Sequence, residues 1–178
     1  MLDLAAFGSR IAIIGASNGG KSTLAAAIGR YLELPVIHLD QLYHQPHTNW
    51  EPRPTEEFYR LHDEAMAGDS WIIEGNYSSR MAQRFERATS AIWLDTAPVP
   101  SAMRYVRRTL FDDARFGNLE GARERLNWRL FRYILVEQPR QRPRYAALLA
   151  QQSFPVIRIK SMRELRSCYR HWSLHAAL

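Results

Sequence analysis

Gly15, Gly20, Lys21 and Ser22 stand at the spacing G-x-x-x-x-G-K-S. That spacing has a chemical reading, the Walker A loop. The stretch Gly15, Ala16, Ser17, Asn18, Gly19, Gly20, Lys21, Ser22 and Thr23 can wrap backbone N–H groups around a phosphate. Lys21 would then reach the β- and γ-phosphates of a nucleotide, and the Ser22 hydroxyl would ligate Mg²⁺. The flanks agree. Ile11 to Ile14 is a short apolar, β-branched run of the kind that forms a buried parallel strand, and residues 22–33 read as a helix. The loop therefore joins a strand end to a helix N-terminus, where the helix dipole favours an anion.

A metal-bound nucleotide needs a carboxylate near the metal, and transfer of a phosphoryl group to a hydroxyl benefits from a base. Asp40 and Glu74 each follow an apolar run that reads as a strand. Glu74 closes Trp-Ile-Ile-Glu, the form of a Walker B strand, and is assigned with Ser22 to the metal. Asp40 precedes a long polar and aromatic segment and is assigned to the acceptor, with an outer-sphere metal role left open. Asp95 ends a further strand before two prolines and reads as a turn residue. The cations come from Lys21 and from arginines. Arg104, Arg107 and Arg108 share one helix face, and Arg140, Arg142 and Arg144 flank two prolines. Of these, Arg104, Arg108, Arg142 and Arg144 are the candidates to stabilise transferred charge from a lid.

The elements that must hold these groups follow in order. Strands are expected at 11–14, 36–39, 71–73, 91–94 and 154–159. Residues 41–54 read as loop, and Thr55 as the cap of a helix through Gly68. Helices are expected at 78–88, to about Phe116, at 122–137 with a turn at Gly117 and Asn118 before it, and at 145–152, with Pro139 and Pro143 as breaks. Ser161 and Glu164 form an S-x-x-E capping box for a final helix. Alternating strands and helices imply one α/β domain over residues 1–178, with a parallel sheet covered on both faces. Ligands bind at the carboxyl ends of such strands, which is where the candidate residues fall.

The net charge of +6 lies in residues 101–144, which carry 11 arginines against 5 acidic residues; the remainder is neutral. Lys21 and Lys160 are the only lysines. An arginine-rich segment suits phosphate clamping or nucleic acid, but no nucleic-acid-binding motif is visible, so the second use is not favoured. No apolar run approaches the roughly 20 residues of a membrane span. With Cys168 the only cysteine and no signal-peptide pattern, a reducing cytoplasm is expected. His38 reads as a sheet residue, His171 and His175 as a surface pair, and Trp128, Phe131 and Tyr133 as core.

Together these pieces resemble the adenylate-kinase-like P-loop kinases. The segments are Gly15 to Thr23, His38-Leu39-Asp40-Gln41-Leu42-Tyr43, Trp71 to Tyr77, Ile92 to Asp95, the arginines that follow and Arg142-Pro143-Arg144. Glu74-Gly75-Asn76-Tyr77 is similar to the bacterial branch labelled topology modulation proteins (FlaR-related). The resemblance implies a P-loop three-layer α/β/α fold with a five-stranded parallel sheet of order 2-3-1-4-5. It also implies a helical lid at about 101–144, an acceptor region at about 40–68, and an adenine held between Arg104 and the turn at Ser161. Nucleoside monophosphate kinases carry arginines where this chain has Tyr43 and Ser78. Asp40-Gln41-Leu42-Tyr43 is instead similar to the Asp-x-Phe-Tyr of uridine-kinase-type enzymes, where the aspartate serves an acceptor hydroxyl. The expectation is a kinase that uses ATP and Mg²⁺ on a small-molecule, nucleoside or nucleotide acceptor. The rivals are a nucleic-acid-associated ATPase and a nucleotide-binding protein without turnover.

Overall fold

The computed structural model describes residues 2–111 and 127–175. Five strands, β1 (Arg10–Gly15), β2 (Val36–His38), β3 (Trp71–Glu74), β4 (Ser90–Leu94) and β5 (Val156–Ile159), form one all-parallel sheet in the order β2-β3-β1-β4-β5. Their residues alternate between two apolar cores, as period-2 side chains in a doubly covered sheet must. Ile11, Ile13, Ile72, Ile92 and Leu94 pack with Leu24 and Ile28 of α1 (Lys21–Leu32) and with Leu165 and Cys168 of α9 (Met162–His171). On the other face, Ala12, Ile14, Ile73 and Trp93 pack with residues of three helices: Met66 of α3 (Thr55–Ala67), Met81 and Phe85 of α4 (Met81–Arg87), and Tyr145 and Leu149 of α8 (Arg142–Ala150). This is the three-layer α/β/α arrangement of a P-loop fold, and it sets β1 at the centre of the sheet.

A smaller third core lies above the sheet. Ala102 and Tyr105 of α5 (Pro98–Phe111) pack against Ile134, which follows α6 (Trp128–Arg132). Asn127 caps α6 by accepting from the backbone N–H of Arg129 and Leu130, and its own N–H meets the Tyr105 hydroxyl at 2.8 Å. A π-helical turn, Tyr133–Glu137, leads into α7 (Gln138–Arg140) and then α8.

Several local expectations are corrected. β2 stops at His38, and Asp40 lies in the first turn of a five-residue helix, α2 (Leu39–Tyr43), not at a strand end. Leu39 is driven into that helix because its side chain is fully buried. The rest of the expected loop is pinned by a bridge between His44 and Pro52. Pro54, not Thr55, occupies the cap of α3, and the Thr55 hydroxyl does not cap it. The prolines do not break helices here. Pro98 opens α5, and Pro139 and Pro143 sit in the first turns of α7 and α8, where a missing N–H costs nothing. Trp128 is 74 % exposed and stacks on Phe131 at 5.0 Å, so it is not core. The expected turn at Gly117-Asn118 and the start of the helix at Ala122 lie outside the described residues. No described helix is long and apolar enough to cross a membrane.

Candidate functional site

The phosphate loop is built by its glycines. Gly15 has φ +136°, and a Cβ there would come within 2.3 Å of the Leu94 carbonyl oxygen. Only glycine lets β1 end against β4 this closely. Ala16 then donates its N–H to that same carbonyl at 2.9 Å. Gly20, at φ +93°, is the left-handed residue from which α1 starts at Lys21. Ser22 and Thr23 follow in its first turn. The end of the loop, Gly20 to Thr23, thus lies at a helix N-terminus, where N–H groups without an intrahelical partner favour an anion. The Lys21 ammonium folds back to the Ala16 carbonyl at 3.2 Å.

Ser22 donates its hydroxyl to Glu74 Oε1 at 2.8 Å, and His38 Nδ1 lies 2.8 Å from the same oxygen. Three elements therefore meet at one carboxylate: α1, the end of β2 and the end of β3. Burial pushes the Glu74 carboxyl up, but the His38 hydrogen bond, the nearby Lys21 charge and the Ser22 bond outweigh it. The carboxyl stays below its ordinary range, hence ionised. A hydroxyl and an ionised carboxylate side by side are a hard oxygen pair suited to Mg²⁺. Among the described residues no cluster of three or more His, Cys, Asp or Glu could hold a metal by itself.

Asp40 is exposed, and its Oδ1 accepts from the Tyr77 hydroxyl at 2.6 Å. Burial, with Asp40 beside it, pushes the Tyr77 phenol well above its usual range, so Tyr77 remains a donor. Tyr43, Tyr77 and Phe58 form a mutual aromatic cluster, each pair of ring centroids 4.9–5.2 Å apart. The arginines nearby are already engaged. Arg53 pairs with Glu57 at 3.0 Å; Arg80 pairs with Asp63 at 3.2 Å and lies over the Tyr59 ring at 3.9 Å.

The arginine-rich side, from α5 to α8, is wired differently. Arg104 donates to the Asn18 carbonyl at 2.9 Å and to the Ser101 hydroxyl at 3.0 Å, which brings α5 onto the phosphate loop. Gln138 of α7 accepts from the Ser17 N–H at 3.1 Å. Arg142 donates to Asp95 Oδ1 at 2.5 Å, while Arg158 donates to Asp95 Oδ2 at 2.6 Å and stacks over the Trp93 ring. Asp95 is therefore a buried ion-pair centre rather than a turn residue. Arg144 is exposed on α8, and the Arg108 side chain lies outside the described part of the structure. On this same side, between the ends of β1 and β4 and α7 and α8, lies a cleft open to solvent, lined by Ala16, Asp95, Gln138, Arg142 and Tyr145 among others. Ser161 caps α9 by accepting from Glu164 N–H at 3.2 Å, and Glu164 returns the bond to the Lys160 N–H at 2.7 Å.

The structure thus brings Lys21, Ser22, Glu74 and the loop together, with Arg104 beside them. It adds residues that periodicity could not single out. His38 reads only as an alternating strand residue. Gln138 and Arg84 carry no sequence signal at all. Asn76, whose side chain binds the backbone of Gly15, was visible only as part of a resemblance.

No family model matches the chain, and no curated protein matches it. Solved structures do. Shikimate kinase from Acinetobacter baumannii in complex with shikimate superposes with a TM-score of 0.56 at 11 % identity, over 93 % of this chain and 94 % of that one. A gluconokinase from Sinorhizobium meliloti 1021 gives 0.55 at 15 % identity, over 93 % and 90 %. Shikimate kinase from Bacteroides thetaiotaomicron gives 0.50 at 17 % identity, over 92 % and 95 %. At these identities the likeness is one of fold: this chain has the P-loop kinase fold.

Proposed function

We infer that the chain is an ATP-dependent kinase acting on the hydroxyl of a small-molecule or nucleoside-type acceptor. The observation that carries the reading is the Ser22 hydroxyl on the Glu74 carboxylate at 2.8 Å, directly beside a glycine-shaped loop bearing Lys21. Backbone N–H groups at the loop's end, from Gly20 to Thr23, bind the phosphates of ATP, and Lys21 leaves the Ala16 carbonyl to meet the outer ones. Ser22 and Glu74 would hold Mg²⁺, with Asp40 at most in its outer sphere. When bound, Mg²⁺ withdraws charge from the phosphate oxygens. Asp40 orients the acceptor hydroxyl and accepts its proton, held in place by Tyr77. Arg104 steadies the loop and takes the nucleotide's base together with the Ser161 turn. Arg108, Arg142 and Arg144 supply cations from the lid.

Support for a small-molecule acceptor comes from two sides. Fold neighbours include kinases of shikimate and of gluconate. The acceptor side of this chain also offers aromatic faces and arginines paired with carboxylates, which suits a hydroxyl compound without a phosphate better than a phosphate ester. The resemblance at Glu74–Tyr77 supports placing the chain in the topology-modulation branch, a label that names no acceptor. A metabolite panel screened for ATP consumption, with products identified by mass, tests the reading. The expected result is ADP formation that depends on one acceptor class and yields its phosphorylated form. ADP formation stimulated by DNA alone would replace the reading with a nucleic-acid-dependent ATPase.

A further inference from the structure

β1 runs two residues, Ile14 and Gly15, beyond its last pair with β3. Ile13 pairs with Glu74, and the Gly75 N–H still reaches the Ile13 carbonyl at 3.0 Å. Backbone groups of a strand face the same neighbour every second residue, so those of Gly15 also face β3. By then the β3 chain has turned away, through Gly75 at φ +130° and Tyr77 at φ +35°. Gly15 is buried, and an unpaired N–H and C=O there would be costly.

The Asn76 side chain fills the gap. Its Oδ1 accepts from the Gly15 N–H at 2.9 Å and its Nδ2 donates to the Gly15 carbonyl at 3.0 Å. One primary amide thus copies the donor and acceptor of a missing strand residue. The two partners fix which end of the amide faces which, since an N–H must meet oxygen and a C=O must meet nitrogen. Aspartate has no donor for the carbonyl, and serine is too short to reach both groups.

Asn76 is itself held from beneath. Arg84 of α4 donates Nη2 to the carbonyls of Gly75 and Asn76, at 3.1 and 2.7 Å. Its side chain is fully buried, with no carboxylate bonded to it and with Nε and Nη1 unpartnered among the described residues. Burial lowers its pKa to about 10, so it keeps its charge at neutral pH. A buried cation spent on two carbonyls is an expensive way to shape a turn, and this turn touches the first residue of the phosphate loop.

We propose that Asn76 is a positioning residue for nucleotide binding: through its paired bonds to Gly15 it sets the origin and direction of the phosphate loop, and Arg84 holds it there. The inference rests on the phosphate-loop reading above. Its test is calorimetric titration of Mg·ADP into wild type, Asn76→Ala and Asn76→Asp, with thermal melts recorded without nucleotide. Trp172→Phe serves as a control for general destabilisation. It deletes the indole hydrogen bond to the Leu2 carbonyl on the opposite face of the sheet. Asn76→Ala should weaken Mg·ADP binding about ten- to a hundredfold, while Trp172→Phe leaves affinity within twofold at a comparable loss of melting temperature. Asn76→Asp keeps the acceptor for the Gly15 N–H, and so serves if the alanine variant does not fold. It should bind at least tenfold more weakly than wild type, because a carboxylate oxygen then faces the Gly15 carbonyl. Binding within twofold of wild type by either folded Asn76 variant, or a loss no greater than that of Trp172→Phe, overturns the proposal. Wild type that fails to bind Mg·ADP overturns the phosphate-loop reading itself, which separates the two failures.

Discussion

The two flanks of the phosphate loop are held by different kinds of bonds. On the β1–β3 side the bonds link candidate site residues to one another or to the loop itself: Ser22 and His38 to Glu74, Tyr77 to Asp40, Asn76 to Gly15. On the arginine-rich side, α5 to α8, the two candidate cations are held differently from each other, one away from the loop and one on it. Arg142 is tied to Asp95, and Arg104 to the Asn18 carbonyl and the Ser101 hydroxyl. On the first side the hydroxyl and carboxylate already lie together, and Lys21 must leave the Ala16 carbonyl to meet a phosphate. The second must exchange partners before its arginines can serve a transferring group. Preorganised donors stabilise charge without a reorganisation cost, whereas donors that must first be released gate the reaction. The kinase reading therefore assigns nucleotide binding mainly to the first side, and completion of the transfer site to the second.

Substitutions can break this contrast, and the largest effect is expected at Asp40. Asp40→Asn keeps shape and an acceptor for the Tyr77 hydroxyl while removing the base. Acceptor-dependent turnover should fall about 10²- to 10⁴-fold, with nucleotide affinity little changed, as steady-state kinetics and titration would show. Turnover at the wild-type rate would remove Asp40 from the acceptor site. Lys21→Ala comes next, with turnover down by about 10²- to 10³-fold. Because the Lys21 ammonium bonds a carbonyl of its own loop, that of Ala16, melting should shift little. Retained turnover would contradict the Walker A assignment.

On the arginine-rich side, Arg142→Ala sharpens the contrast. Asp95 keeps Arg158, and the Arg142 side chain is about 40 % exposed, so unfolding free energy should change by less than about 1 kcal/mol. Turnover should fall about tenfold while Mg·ADP affinity holds, if Arg142 acts on the transferring group and not on the resting nucleotide. Equal loss of affinity and turnover would move it to the first side.

The smallest effect lies beneath the acceptor side. His62 of α3 is fully buried, and burial, then the Arg84 charge, lowers its pKa to about 4. The unfolded chain takes up a proton near the ordinary value of 6.5, before the folded chain does. The contribution of neutral His62 to stability is thus complete above that value and is lost as pH falls from 6.5 towards 4. Between pH 7 and 5 the loss is on the order of 1–2 kcal/mol. Denaturant melts of wild type and His62→Leu should show the wild type losing more over that window; parallel pH profiles would contradict it.

The same contrast explains what was legible in the sequence. The phosphate loop, the five strands and the Ser161–Glu164 box are local patterns, and each stands close to where periodicity and capping chemistry put it. α2 escaped because five residues cannot display a helical period, so Asp40 read as a strand end. His38 reads correctly as a strand residue, but alternation does not say what a strand's last side chain meets beyond the sheet. Asn76 and Gly15 are 61 residues apart, and their bonds follow from how β1 outruns β3, which no local pattern encodes. Asp95 read as a turn because its partners Arg142 and Arg158 lie 47 and 63 residues away. Fold-level geometry, once built, brings such residues together. Sequence alone identifies them only where a motif has already gathered them.

The central claim is that Ser22 and Glu74 form a metal–nucleotide site. It is tested most directly by measuring ADP affinity with and without Mg²⁺ for wild type and Glu74→Gln. Wild type should bind ADP at least tenfold more tightly with Mg²⁺, and Glu74→Gln should lose most of that gain while still binding ADP without the metal. Equal ADP affinity of the wild type with and without Mg²⁺, or an undiminished Mg²⁺ gain in Glu74→Gln, would contradict it.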